Sequence, residues 1–219
     1  MLIGIDASRA TTKNRTGTEA YALNLIQHLL PLTAENGHTV RLYFNEPPAA
    51  NLFPQSRFVE HCVIPFPRMW THLRLGGELL LRPPDLFFTP AHVIPWSWFG
   101  RSIATVHDLG YEHFPEAHTT KQVRYLRWST RHNARRSQVV LADSQATKQD
   151  LIHFYGVDRH KIKVVYPGID PILLDEAPST PPLQREKRYL LFLSTIQPRK
   201  NVGRIIDAFT SLGYVYKVR

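Results

Sequence analysis

Three short stretches of this 219-residue chain carry residue types and spacings that could do chemistry. The first is Thr16-Gly17-Thr18-Glu19-Ala20-Tyr21, downstream of the apolar run Leu2-Ile3-Gly4-Ile5-Asp6. A residue with no side chain at the start of a helix lets an anion reach the free backbone N–H groups there. Gly17 also serves as an ordinary turn residue, and no G-x-G-x-x-G pattern accompanies it. The second is Thr105-Val106-His107-Asp108-Leu109, where His107 emerges from an apolar run with Asp108 beside it. An imidazole there can donate to a hydroxyl or phosphate, or move a proton near neutral pH; a core histidine with satisfied hydrogen bonds is the alternative. The third is Gln197-Pro198-Arg199-Lys200-Asn201. Two adjacent cations at a helix start oppose the macrodipole unless an anion lies between them and the backbone donors, which suits a diphosphate. A solvated basic turn is the other reading. His113 and His118 follow His107 at spacings that match no zinc pattern, so no metal site is expected. A P-loop and a G-x-S-x-G elbow are both missing from the sequence.

Positioning these residues requires a sheet. Short apolar runs at 2–6, 39–44, 57–59, 85–88, 102–107, 138–142 and 161–165 read as strands, and apolar residues near helical spacing at 19–30, 122–136 and 147–155 read as helices. Alternation of the two predicts an α/β sheet, mainly parallel, whose ligands lie beyond the carboxyl ends of the strands. Ser144 is placed to cap the helix over 147–155, and Gly156 to end it. The pattern is weakest over 47–100, which is rich in Pro and aromatics. Pro and polar residues over 176–188 predict a linker, after which 189–193 reads as a strand and Asn201 as the cap of a helix over 202–209.

Composition narrows the class. Apolar residues make up 43% and charged residues 21%, which excludes collagen-like, coiled-coil and wholly disordered chains. No apolar run approaches the ~20 residues that span a bilayer. A lone Cys62 and the lack of a basic-then-apolar leader make the cytoplasm the expected location. The net charge is +9, and six cations fall in one acid-free stretch between Glu116 and Asp143: Lys121, Arg124, Arg127, Arg131, Arg135 and Arg136. Such a helix attracts phosphorylated ligands, nucleic acid or an anionic membrane, or is a solvated face.

In order along the chain, Ile3-Gly4-Ile5-Asp6-Ala7 with Gly17-Thr18-Glu19-Ala20-Tyr21, Val106-His107-Asp108-Leu109, Ala142-Asp143-Ser144 with Asp150-Leu151, Lys161 to Asp170, and Pro198-Arg199-Lys200-Asn201 resemble the retaining glycosyltransferases of the GT4 family, which have the GT-B fold. The resemblance implies two Rossmann-like domains, the N-terminal one on the acceptor side. It implies a nucleotide-diphosphate sugar as donor and a glycan or lipid-linked acceptor, with no metal and no other cofactor. By motif position, Gly17 lies near the donor phosphates, His107 faces the donor sugar as the catalytic residue, and Arg199 and Lys200 neutralise the diphosphate. Glu19 and Asp108 are the candidate acceptor or sugar contacts. Ser194-Thr195 stands where many relatives carry a Gly-Arg pair.

On this reading residues 1–175 form the acceptor-side domain, 176–188 the linker, and 189–219 the first β-α unit of an incomplete donor domain. A chain of this kind is expected to be inactive or impaired alone. The 121–136 helix is the candidate contact for an anionic membrane, on the inner face, and nucleic acid is not an expected partner. The rival reading is a non-catalytic module that binds nucleic acid or membrane through that helix. It predicts loss of affinity with salt and with charge reversal of Arg124, Arg127 and Arg131.

Overall fold

The computed structural model describes residues 1–12, 15–66, 68–91, 93–169, 190–194, 196 and 200–212. The chain divides into two compact units, one of residues 1–109 and 124–167, the other of 110–123 and 168–219.

The first unit is built on a sheet of seven parallel strands, β1 (Leu2–Asp6), β2 (Thr39–Phe44), β3 (Val59–Val63), β4 (Leu86–Thr89), β5 (Ser102–Val106), β6 (Val139–Ala142) and β7 (Ile162–Val164). Their order is β3-β2-β1-β4-β5-β6-β7, the doubly wound order of a Rossmann-like sheet. The winding direction reverses between β1 and β4, which opens a crevice at the carboxyl ends of those strands. Period-two alternation splits the side chains between two cores. Leu42, Phe44 and Phe88 pack with Ile5, Ile26 and Leu30 on one face. Tyr43 and Phe87 point the other way, toward Leu75, Leu79, Ile94 and Trp98. Gly4 has no room for a larger residue, because an added Cβ would lie 2.8 Å from the Tyr43 ring and 2.9 Å from Pro84.

Helix α1 (Gly17–Glu35) follows β1 and buries Ala22, Ile26 and Leu30 at i, i+4, i+8. It runs past Pro31, five residues beyond the predicted end. A π-helical turn over Thr71–Leu75 continues into α2 (Gly76–Leu81), neither of which the sequence pattern predicts. The strand expected at 57–59 is instead β3 over 59–63, since pairing with β2 sets its register from Val59 onward.

Helix α5 (Gln145–Tyr155) ends as expected. The Ser144 hydroxyl accepts the Thr147 N–H at 3.0 Å, and Gly156 takes the left-handed conformation, φ +62°. Helix α4 (Thr120–Arg136) carries its cations into the last turn, where Lys161 also donates to the carbonyls of Ala134 and Arg135 at 2.5 and 3.1 Å. Burial pushes the Lys161 ammonium down, partly offset by the nearby Asp158 charge.

In the second unit, α3 (Gly110–His113) is a single turn, and α6 (Val202–Ser211) forms where helical spacing predicts it. Two expectations fail there. Leu190–Leu193 are exposed and pair with no strand among the described residues, because a strand needs a neighbour to hydrogen-bond and apolar sequence alone does not supply one. Asn201 precedes α6 in the left-handed conformation, φ +53°, and its side chain makes no capping hydrogen bond. The 176–188 linker lies outside the described residues.

Candidate functional site

The geometry around His107 follows from strand register. Val106 of β5 pairs with Ala142 of β6, so the next residue on each strand, His107 and Asp143, emerge side by side at the carboxyl edge. The Nδ1 of His107 is 2.6 Å from Oδ2 of Asp143, and its Nε2 is 3.0 Å from the carbonyl of Pro90, one residue past β4. The Thr147 hydroxyl donates to the His107 carbonyl at 3.0 Å. The Tyr21 ring meets the imidazole edge-on, centroids 4.9 Å apart. Burial pushes the Tyr21 phenol above its ordinary range, with the nearby Thr105 hydroxyl opposing it and the Asp143 charge adding to it. Tyr21 is therefore a neutral hydroxyl throughout the physiological range.

Other buried polar groups crowd the same edge. Asp6, at the end of β1, is 2% exposed, and its Oδ1 accepts the backbone N–H and hydroxyl of Ser8 at 3.1 and 2.6 Å. Among the described residues, its Oδ2, Oδ1 of Asp143 and the hydroxyl of Thr89 are buried without a hydrogen-bond partner. A fold does not gain stability from such groups, since each unmatched one costs about 1–3 kcal/mol. They lie at the carboxyl ends of β1, β4 and β6, the first two of which flank the reversal in winding.

Gly17 opens α1, and among the described residues an added Cβ there would meet nothing within 4 Å. Neither a turn nor close packing requires glycine at this position, which leaves the helix start accessible. Glu19 is engaged within the helix start: its carboxylate accepts from the Thr16 backbone N–H at 3.1 Å and from the Thr16 hydroxyl, and lies 3.6 Å from the Arg9 guanidinium. Burial pushes the Glu19 carboxyl up, but the Thr16 hydrogen bonds, that from its own backbone and the Arg9 charge outweigh it and hold it below its usual range. Asp108 follows His107 and is exposed. Lys200 belongs to the second unit, and Arg199 lies outside the described residues. The first unit thus gathers Gly17, Glu19, His107 and Asp108 at its carboxyl edge. No three His, Cys, Asp or Glu side chains form a metal-binding group among the described residues.

A second feature opens beyond β1 and β2, a cavity of about 580 Å³ lined by Arg9, Asn45, His72, Trp96, Tyr125 and Trp128 among others. That size falls within the ~300–1,000 Å³ of ordinary ligand pockets. Two hydrogen bonds tie its wall to α4: the Ile94 N–H donates to Asn133 Oδ1 at 2.9 Å, and His132 Nε2 is 3.0 Å from the Ile94 carbonyl. Arg9 joins the two features, lining the cavity while pairing with Glu19.

Asp6, Arg9, Tyr21, Asp143, Trp96 and Trp128 were not among the candidate residues. Position after a strand could have found Asp143, and the density of aromatics could have found the tryptophans.

The profile of Glycosyltransferase Family 4 matches residues 15–172, which span α1 to the end of the sheet. The chain belongs to that family. It is 26% identical over 125 residues to the O-antigen chain mannosyltransferase B of Escherichia coli, a match covering 54% of this family-4 chain and 33% of that protein. Among solved structures, the wall teichoic acid polymerase TagF is similar at 15% identity and TM-score 0.44, over 76% of this chain and 38% of its own. A histidine-to-alanine variant of that polymerase gives 0.43 at 15% identity, over 74% and 37%. The chain therefore spans about a third of the length of the curated relative it matches. Among the described residues, no helix is long and apolar enough to cross a membrane.

Proposed function

We propose that this chain supplies the acceptor-side part of a retaining glycosyltransferase, which moves a hexosyl group from a nucleotide-diphosphate sugar to a glycan or lipid-linked acceptor. The observation that carries the reading is a polar edge assembled at the winding reversal of a family-4 sheet, with His107 fixed by Asp143 and an unobstructed Gly17 at the start of α1. Gly17 then admits the donor diphosphate to the backbone N–H groups of α1, and Arg199 and Lys200 add positive charge to the leaving group. His107 contributes a hydrogen bond to the donor sugar by exchanging its contact with the Pro90 carbonyl for one with a sugar hydroxyl. Asp108 contacts sugar, and Glu19 holds the helix start in place. The mannosyltransferase relative makes mannose the first donor sugar to try, and polysaccharide assembly in the cytoplasm the setting. No metal is needed where cations and backbone donors meet the diphosphate.

Titration calorimetry with GDP-mannose, UDP-glucose, GDP and UDP tests this reading. Binding of at least one nucleotide diphosphate, abolished by Gly17→Val, is the expected result. No binding of any of the four overturns the transferase reading.

A second reading is favoured by α4, which exposes Arg124, Arg131 and Arg135 along one side. Such a face suits an anionic membrane on the cytoplasmic side, at about 1 kcal/mol per cation near the surface. Sedimentation with phosphatidylglycerol vesicles, lost on Arg124→Glu with Arg131→Glu and at high salt, is its expected signature. Binding that survives both changes overturns it.

A further inference from the structure

The chain contains a single Asn-Gly pair, Asn36-Gly37, where α1 gives way to β2. Asparagine is among the chemically labile residues, and a following glycine leaves the attacking amide nitrogen unshielded because it has no side chain. Glu35, Asn36 and Gly37 are all exposed, so water reaches the pair. Among the described residues, a Cβ added to Gly37 would meet nothing within 4 Å. Lability and access are both present. What governs the reaction is the way these residues end α1.

Asn36 closes α1 with φ −87° and ψ 12°, and Gly37 follows in the left-handed conformation at φ +68°. The Asn36 Nδ2 donates to the Leu32 carbonyl at 2.7 Å. The backbone N–H of Gly37 donates to the Ala34 carbonyl at 3.0 Å, and that of His38 to the Thr33 carbonyl at 2.9 Å. Attack of the Gly37 nitrogen on Cγ of Asn36 closes a five-membered ring, which needs that nitrogen and Cβ on the same side of the Cα–C bond. At the ψ observed here an L-residue holds them apart. Rotation about that bond brings them together, and it carries Gly37 and His38 away from their acceptors. The last turn of α1 must open first. Helix ends are where such opening is easiest, since few contacts hold them.

We propose that Asn36 is a site of spontaneous deamidation, gated by fraying of the last turn of α1. The Gly37 nitrogen forms a bond to Cγ, the Cγ–Nδ2 bond breaks, and Nδ2 leaves as ammonia with the Gly37 amide proton. One water then adds to either carbonyl of the cyclic imide, breaks its bond to nitrogen and returns a proton to that nitrogen. One opening yields aspartate and the other isoaspartate, and either product weakens the junction. Aspartate loses the donor to Leu32 and adds a negative charge at the negative end of α1, next to Glu35 and with no basic residue in the last turn to offset it. Isoaspartate reroutes the main chain through Cβ and adds one carbon just before β2. The start of that strand is pinned by the Thr39 N–H donating to the Met1 carbonyl at 3.1 Å and by the pairing of Thr39 with Leu2.

The test ages the purified 219-residue chain in mildly alkaline buffer beside a synthetic peptide of residues 32–41. Peptide mapping by mass spectrometry follows both, reading the exchange of NH for O and separating aspartate from isoaspartate. Both products are expected at Asn36 in the folded chain, formed about tenfold more slowly than in the peptide, which corresponds to an opening of roughly 1.4 kcal/mol. Urea below the unfolding midpoint should narrow that gap. Glu35→Lys, which puts a cation at the negative end of α1, should widen it about twofold relative to its own matched peptide. Asn36→Asp, made directly, should lower the urea midpoint, and Asn36→Ser should gain no mass. An Asn36 still intact after many tens of peptide half-lives would overturn the proposal. Equal rates in chain and peptide would overturn the gate, and an unchanged midpoint in Asn36→Asp the weakening of the junction.

Discussion

His107 is held from four directions, by the Asp143 carboxylate, the Pro90 carbonyl, the Thr147 hydroxyl and the edge of the Tyr21 ring. Trp96 is held mainly by ring contacts with His72 and Trp128, and half its surface faces water. The first region is over-determined by directional bonds among residues near the edge of the sheet. The second is fixed by shape alone, from segments scattered between Ser8 and Trp128. Directional bonds hold a side chain to one orientation, whereas stacking fixes the plane of a ring and leaves part of its surface open.

The contrast can be broken most forcefully at Asp143. Asp143→Ala leaves the Nδ1 side of His107 without its acceptor, and should lower stability by about 2 kcal/mol in urea unfolding. A change below a few tenths would mean that His107 is not locked as described. Acid should then weaken the aromatic wall. Burial holds the His132 imidazole below its usual range, with the Arg136 charge acting the same way and its bond to the Ile94 carbonyl opposing them. A lowered folded pKa means that the unfolded chain binds the proton first. His132 therefore contributes its full stability above the ordinary value of ~6.5 and loses it as pH falls through the lower folded value. The urea midpoint measured from pH 7.5 to 5 should fall, and His132→Gln should reduce the slope. Burial lowers His61 in the same way, so some slope should remain.

Smaller effects sharpen the comparison. Trp96→Ala should cost only about 1 kcal/mol, far less than the ~3–5 kcal/mol of a fully buried aromatic, and a larger loss would show the ring to be core. Glu19→Ala should cost about 1 kcal/mol by removing the bonds to Thr16 and the Arg9 pair. Its carboxyl is held low, so that contribution is present above ~4.3 and is lost as pH falls through the lower folded value; acid unfolding curves of the two proteins should converge there. Gly17→Ala should change stability by less than about 0.5 kcal/mol, since open space surrounds the position. A marked loss would make Gly17 a structural residue and remove the reason to place a diphosphate beside it.

Most of the sheet was legible because buried parallel strands are short continuous apolar runs, and six of the seven lie within a residue or two of where such runs fall. The stretch from Thr71 to Leu81 was not, because Thr71-His72-Leu73-Arg74-Leu75-Gly76-Gly77 sustains no helical period, and its π-helical turn depends on packing. Gly76 shows the dependence: an added Cβ would lie 2.5 Å from the Ser97 hydroxyl, so α2 and the segment carrying Trp96 approach only because that side chain is missing. The apolar run at 190–193 misled in the opposite sense, since strand character belongs to a pair and not to one segment.

Sequence by itself determined that His107 would emerge at the end of a buried strand and Gly17 at the start of a helix, because both follow from local patterns of a few residues. Only the tertiary structure decided that His107 meets Asp143, 36 residues away, since that pairing is a matter of which strands are neighbours and in what register. The same holds for the aromatic side of the cavity. Its rings come from elements whose spacing in sequence carries no period, and they meet because the winding of the sheet and the bonds between Ile94 and α4 bring them to one cavity.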